Sequence, residues 1–475
     1  MRPGERRRGL RFMIVEAMCT QAHASFTGLG AGMAGAPNAV TVGFAILLGA
    51  KDHALGLVAA LPVAANFFQF LAAALAPRLA GRRGLIMLAT LLARVSWLAI
   101  GWMPFLLRGH ANLALTAFLV FWAISNAALA VGGNLWMSWM ADLCPAKIRG
   151  RYFSRHAFYT MIVGILAPFL VSVLLDKGFG GVPQKAADGT PLAFLQSFGF
   201  AVMFTIAAVF GMLAWAVLRA QPEPGRHAKS AAPPLGLSWF VEPFRDVTFR
   251  PLIFFVVVFG ATNGLANPFW ASFQLEQLKL PYSYVSGIFV AVQGIVTALS
   301  LPFWGKVSDR YGNRAVVSMT LGLLFFSPIF YVLASGPAHW WLMCLDAAVQ
   351  GVGWAGYNVA IFNLVLALTP ERKRELYFAA YVTALGTAQA ITSVLAGTCL
   401  SALPETAVVA GLALHPRQQI FLFTAGARLF CLLFFLKALG PPQNARARAF
   451  VVRLRRVLGR PEVQPEERPL VPSEA

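Results

Sequence analysis

From Met13 to Leu439 the chain is a succession of apolar runs separated by short polar loops, and this pattern leaves few folds open. About 20 apolar residues in helical form cross the ~30 Å hydrocarbon core of a bilayer. No water is present there to satisfy backbone N–H and C=O groups, so a spanning segment of this length is a helix. Twelve spans are read. Six lie near residues 12–36, 54–77, 85–107, 113–140, 152–176 and 193–219. Six more lie near 249–275, 283–305, 315–335, 339–367, 376–402 and 418–439. Charged residues make up only 12% of the chain, about half the ~25% of a soluble protein. A soluble core cannot absorb so many continuous apolar helices. The fold class expected is therefore all-α integral membrane.

The formal net charge of +20 would point to nucleic acid in a soluble protein. Here the cations fall in alternate loops. One set carries Arg78, Arg82 and Arg83, then Lys147, Arg149, Arg151 and Arg155, then Lys306, Arg310 and Arg314, then Arg372, Lys373 and Arg374. The opposite loops hold few. Loop Lys and Arg set orientation, so the rich side is expected to be cytoplasmic, with both termini on it. Residues 1–11 then form a basic cytoplasmic N-terminus, followed by an uncleaved first helix. Bundles over 12–219 and 249–439 flank a Pro-rich cytoplasmic linker at 220–248, and 440–475 form a cytoplasmic tail. The five cysteines show no CxxC or metal spacing and are expected to be free thiols.

The halves repeat. Leu143-Cys144-Pro145-Ala146-Lys147-Ile148-Arg149 runs on to Tyr152-Phe153, and Leu368-Thr369-Pro370-Glu371-Arg372-Lys373-Arg374 runs on to Tyr377-Phe378. Each copy follows the fourth span of its half. A second pair follows the second spans: Gly305-Lys306-Val307-Ser308-Asp309-Arg310-Tyr311-Gly312-Asn313-Arg314 lines up with the stretch Pro77 to Gly84. Two matches at nearly one offset on one side indicate parallel six-helix repeats. The Gly305–Arg314 segment resembles the cytoplasmic loop signature of the major facilitator superfamily, and the resemblance covers the chain from Phe12 to Leu439. The motifs from Asp142 to Phe153 and from Trp354 to Asn358 are similar to those of bacterial carriers in that superfamily. The resemblance implies twelve transmembrane helices in two pseudo-symmetric bundles that rock about a central cavity. It also implies a cytoplasmic gate, with Asp309 facing Arg149, Arg151 and Arg155 while the cavity faces outward. Gly305, Arg310, Gly312, Arg314, Arg372 and Arg374 complete the expected gate motif, Gly305 and Gly312 as sites of tight turns. The first-half copy has Gly81 where the Asp should stand, so a one-sided gate is expected. The alternative is that the Arg residues only fix topology.

Ionisable groups within spans are costly and usually face protein or water. Arg94 lies about nine residues, or roughly 14 Å of helical rise, into the third span. Arg428 is similarly central in the last. Each either meets an anionic group of a substrate or bonds neighbouring protein groups. Asp346 and Gln350, four apart, share a face of the tenth span. Asp346 either carries a coupling proton or pairs with an Arg, and Glu16 is the second candidate for proton coupling, better read as a gate or interface residue. Asn263, Asn267 and Trp270 share a face of the seventh span, which Pro268 interrupts. Gln21, His23, Asn126 and Gln293 join the set of candidate cavity residues. For each of these the other reading is bonding between helices.

No GxxxxGK[ST] loop, HExxH or paired metal spacing occurs, so no nucleotide hydrolysis, cofactor or metal is expected. No stretch outside the spans has the length of a catalytic domain. The expectation is a monomeric secondary transporter in a bacterial inner membrane. It would move a small organic solute by alternating access, as symporter or antiporter, with proton coupling as an option. An efflux carrier for amphipathic compounds is the alternative on the same fold, and a non-transporting membrane sensor is the alternative of another class.

Overall fold

The computed structural model describes residues 3–28, 37–69, 82–144, 148–182, 190–222, 237–370 and 373–438. Among these residues the chain is almost entirely helical. In the first half α1 spans Pro3–Thr27, α2 Ala39–Leu47, α3 Asp52–Ala64, α4 Arg82–Leu106, α5 Ala111–Leu143, α6 Arg149–Gly178 and α7 Pro191–Arg219. A short α8, Leu237–Arg245, lies in the stretch expected as linker. In the second half come α9 (Arg250–Ala266), α10 (Phe289–Tyr311), α11 (Asn313–Leu333), α12 (Trp340–Leu368), α13 (Arg374–Cys399) and α14 (Pro416–Ala438). Nine helical stretches among the described residues are long and apolar enough to cross a membrane.

Local features add detail to the span pattern read from the sequence. The segment read as the first outer loop holds α2, whose residues Ala39 to Ile46 are buried. Its start is fixed by Asn38, whose side chain accepts from the Thr41 N–H at 3.0 Å, and by Thr41 Oγ1 donating to the Thr27 carbonyl at 2.5 Å. The apolar run 39–48 is too short to read as a span, but it fills the junction between the halves. The seventh span breaks as Pro268 predicts: α9 ends at Ala266, and after a turn at Trp270–Ser272 the chain widens into a π turn, Phe273–Gln277. A second π turn, Ser283–Ile288, leads into α10. Two three-residue strands, Ala407–Val409 and Leu412–Leu414, pair antiparallel between α13 and α14. Ala410 and Gly411, both at positive φ, make the two-residue turn that such a hairpin requires.

The hydrophobic core explains how the halves relate. At one end a single cluster joins them: Phe44, Trp97, Trp122, Phe200 and Phe204 from the first half pack with Phe269, Tyr282 and Phe421 from the second. Phe44 alone meets Phe118, Phe200 and Phe204 edge-on at 5.1–5.4 Å between centroids, a favoured aromatic geometry. Toward the cation-rich end the core divides. Met13, Ile86, Trp139 and Leu218 form a first-half cluster, and Phe249, Phe255, Tyr357 and Tyr377 belong to a separate second-half cluster. Among the described residues the bundles thus share a core at the cation-poor end and have separate cores at the other.

Small residues let the fused ends approach. A Cβ on Gly397 would stand 2.6 Å from the Asp52 carbonyl oxygen, one on Gly56 2.7 Å from that of Ser393, and one on Gly386 2.7 Å from that of Val63. All three contacts cross between α3 and α13. Glycine there permits backbone-to-backbone packing, the usual basis of close helix association in lipid. The repeated Tyr-Phe motif does parallel work in the two halves. Tyr152 Oη donates to the Leu10 carbonyl at 2.9 Å, and Tyr377 Oη donates to Asp246 Oδ2 at 2.7 Å. Each ties the fifth helix of its half to the segment at the start of the first. The Tyr377 bond holds the Asp246 carboxyl below its ordinary range, assisted by the N–H groups of Thr248 and Phe249.

Substituting Gly397 or Gly386 by Ala is expected to lower the unfolding temperature, because overpacking at such a contact costs about 1–3 kcal/mol. Gly426→Ala on α14, where a Cβ meets nothing within 4 Å, is expected to be neutral or stabilising. Thermal unfolding of the purified variants distinguishes them, and Gly397→Ala melting with the wild type would count against the close-packed junction.

Candidate functional site: a cavity between the halves

A cavity of about 300 Å³ lies between the halves just inside the fused end. The first half contributes Gln21, Ser25 and Asn38 to its wall, and the second contributes Trp270, Gln274, Phe289, Gln293, Tyr331, Met343, Asp346 and Gln350. Five of the residues singled out from sequence therefore line it: Gln21, Trp270, Gln293, Asp346 and Gln350. Gln274, Tyr331, Ser25 and Asn38 were not anticipated. Gln274 lies four residues after Trp270 and seven after Asn267, so the helical period that joined those two would have reached it.

Among the described residues Asp346 is the only acidic one in this wall, and it is 2% exposed. Gln350, one turn along α12, donates through Nε2 to Asp346 Oδ2 at 2.7 Å. The hydroxyls of Ser327 and Tyr331 stand beside the same carboxylate, yet neither makes an aligned hydrogen bond, and Oδ1 is left without a donor. Tyr331 Oη accepts from Gln274 Nε2 at 2.6 Å and keeps its own proton to donate. Arg428 lies behind this group. Its Nη1 donates to the Leu324 carbonyl at 2.6 Å and its Nη2 to Asn263 Oδ1 at 3.0 Å. Its Cζ sits 5.9 Å from the Trp270 ring centroid. The indole in turn packs on Tyr331 at 4.5 Å and on Phe421 at 4.7 Å. Arg428 is thus held by protein groups behind the wall, and its field reaches Asp346 without direct contact.

The first half handles its buried ions differently. Arg94 Nη2 meets Glu16 Oε1 at 3.2 Å and Thr20 Oγ1 at 3.0 Å, and Thr20 Oγ1 donates to the same Glu16 oxygen at 2.8 Å. Both ions are about 5% exposed. His23, a further turn along α1, donates from Nδ1 to the Ala207 carbonyl at 2.8 Å. Glu16, Thr20 and His23 follow the i, i+4, i+7 stripe of one helix face, turned toward α4 and α7. Neither this group nor Asn126, which bonds the Trp122 carbonyl one turn back at 2.8 Å, lines the cavity. Asn263 and Asn267 are buried in the second half outside the lining as well.

At the fused end two polar contacts cross between the halves. Arg417 Nη2, at the start of α14, pairs with Asp52 Oδ1 at the start of α3 at 2.8 Å, while its Nη1 pairs with Glu276 Oε2 at 2.6 Å. The Asp176 carboxylate, in the last turn of α6, accepts from the Tyr282 N–H at 2.9 Å and the Ser283 N–H at 2.7 Å. It thereby satisfies free donors at a helix start in the opposite half. His415 and Gln277 bond beside the Arg417 cluster.

The expected gate motif sits at the other end. Gly312 takes the left-handed conformation, φ +85°, and separates α10 from α11 as a tight turn. Gly305 does not: α10 continues through it to Tyr311, so it is a helical residue. Asp309 and Arg310 occupy the last turn of α10 and are exposed, and Arg314 lies in the first turn of α11. Arg372 lies outside the described residues, as do the side-chain positions of Arg149, Arg151 and Arg374.

Removing one member of the Glu16–Arg94 pair leaves the other charge buried and uncompensated, at a cost of about 3–5 kcal/mol. Arg94→Met and Glu16→Gln singly are therefore expected to lower the unfolding temperature clearly. The double variant should recover much of the loss. A double variant as unstable as the sum of the two singles would show that the pair does not act as a unit.

The family model described as Major Facilitator Superfamily matches residues 252–470. The chain is 28% identical over 163 residues to the multidrug resistance protein MdtG of Proteus mirabilis (strain HI4320), which covers 34% of this chain and 37% of that protein. The curated relatives are matched over 16% to 37% of their own length. Among solved structures, the nucleoside transporter NupG superposes with a TM-score of 0.64 at 14% identity, covering 92% of this chain and 99% of that one. A bacterial homologue of the iron transporter ferroportin, in its inward-facing state, gives 0.62 at 13% identity, covering 91% and 98%. The fold of those carriers extends over nearly the whole chain, and the Major Facilitator Superfamily model matches its second half.

Proposed function

We propose that this protein is a secondary active transporter that carries a small organic solute across a bacterial inner membrane by alternating access. The observation that carries the proposal is the cavity itself. It lies between two bundles that are fused at one end and separate at the other, and its wall combines an incompletely bonded carboxylate with four glutamine amides and an indole. A solute site in a rocking carrier needs this arrangement: polar groups at mid-depth, reached from one side at a time. By the loop-cation bias the separate end faces the cytoplasm and both termini lie there. The structure then corresponds to the cytoplasm-open form. Asp309 would engage the basic start of α6 in the opposite form, where Arg149, Arg151 and Arg155 stand, when the separate ends close.

Asp346 is the proposed carrier of the coupling proton. It faces the cavity, and its charge has no direct ion partner, whereas Glu16 is committed to Arg94. In proteoliposomes under an imposed proton gradient, wild-type protein is expected to accumulate its solute, found by a panel of sugars, organic acids, amines and peptides. Asp346→Asn should lose uphill accumulation by tenfold or more while keeping exchange of solute down its own gradient at saturating solute concentration. An unchanged gradient-driven rate in that variant would remove Asp346 from the coupling role. Loss of exchange as well would give it a binding role without a coupling one.

The closed end supplies a second test. Arg417→Gln removes the bridge between Asp52 and Glu276, so a cysteine placed at Gln274 should become reactive to a membrane-impermeant thiol reagent added from outside at least several-fold faster. Equal rates with and without Arg417 would mean that the aromatic core, not the ion cluster, holds this end shut.

A further inference from the structure

The chemistry of the cavity wall also restricts what it can hold. Among the described residues its lining contains one carboxylate and no Lys, Arg or His. The undescribed residues 29–36, which fall between the lining residues Gly28 and Pro37, are Leu-Gly-Ala-Gly-Met-Ala-Gly-Ala and bring no charge. The two buried guanidiniums nearby lie outside the lining and are anchored by protein groups, Arg94 Nη2 by Glu16 and Thr20, and Arg428 Nη1 and Nη2 by Leu324 and Asn263. Asp346 Oδ1 is buried at the wall with no donor. Opposite charges suit that oxygen, and an anionic solute would meet a like charge with no cation in the wall to offset it. Trp270, Phe289 and Met343 supply flat apolar and polarizable surface, a surround that favours cations and planar bodies. Amides at Gln21, Gln293 and Gln350 donate or accept as needed. The volume is at the small end of the ~300–1,000 Å³ range of ligand sites.

We infer that the solute is a small organic amine with a planar apolar body, its ammonium group seated on Asp346 Oδ1 and its body against Trp270 and Phe289. This inference rests on the reading of the cavity as the solute site.

Three probes sharing one body and differing in charge test it: tryptamine, the neutral alcohol tryptophol and indole-3-acetate, titrated by calorimetry into purified full-length protein. The expected order is tryptamine tighter than tryptophol by at least tenfold, with indole-3-acetate weakest. Asp346→Asn should bring tryptamine down to the affinity of tryptophol and leave tryptophol unchanged. Trp270→Ala and Gln293→Ala should weaken all the probes that bind. Equal affinity for the acid and the amine, or an amine preference that survives Asp346→Asn, overturns the inference while the cavity reading stands. Probe binding that ignores both Trp270→Ala and Gln293→Ala overturns the cavity reading instead. If none of the three binds, a ligand-free measurement decides. In a background with the native cysteines replaced, Gln293→Cys should react with a trimethylammonium methanethiosulfonate at least tenfold faster, relative to a free thiol, than with the sulfonate reagent. Asp346→Asn should abolish that ratio, and a ratio near one in the parent overturns the inference.

Discussion

The structure depends on an asymmetry of burial along the membrane normal. At the cation-poor end aromatic side chains from both halves share one core, and glycines on α3 and α13 bring the two backbones into contact. At the cation-rich end each half completes its own core, and the described residues show no common cluster. In lipid the hydrophobic effect does not hold helices together, so packing and polar contacts must. Where those are dense the bundles are joined, and where they are sparse the bundles part. The cavity is the place where the shared core gives way to separate ones, so its position follows from the packing.

The two halves divide the electrostatic work unequally despite their repeated sequence motifs. In the first half the intramembrane cation and anion neutralise each other directly, with Thr20 bridging them. In the second, the guanidinium of Arg428 spends both terminal nitrogens on a carbonyl and an amide, and the carboxylate of Asp346 faces the cavity with one aligned bond from Gln350. A closed ion pair contributes structure and offers nothing to a solute. An incompletely bonded carboxylate at a cavity wall is chemically available. The tyrosines of the repeated motif have diverged less: Tyr152 and Tyr377 still tie the fifth helix of each half to the beginning of the first.

Much of this was legible in the sequence, for physical reasons that can be named. Span-length apolar runs and loop cations dictate the helical architecture because hydrocarbon enforces it. Asp346 and Gln350 are four apart, and the helix places them together without tertiary information. Pro268 announced the break in the seventh span. What the sequence concealed depends on long-range contact. Glu16 and Arg94 are separated by 78 positions, and nothing local says that one answers the other. The run 39–48 is apolar but short, so only its burial between the halves distinguishes a helix from a loop. Ser327 and Tyr331 read as ordinary residues of an apolar helix until α12 sets a carboxylate beside them. Gly305 sits in a loop signature, yet the helix it belongs to continues past it.

Trp270 occupies a position whose mechanical meaning exceeds its role as wall. One surface of the indole borders the cavity, and the same ring lies against Tyr331, Phe421 and the guanidinium of Arg428. It follows directly after the chain break at Pro268, where the backbone has no continuous ladder to keep it in place. A body pressing on that ring therefore pushes on the hinge of its own helix and on the cation anchored to Asn263 below it.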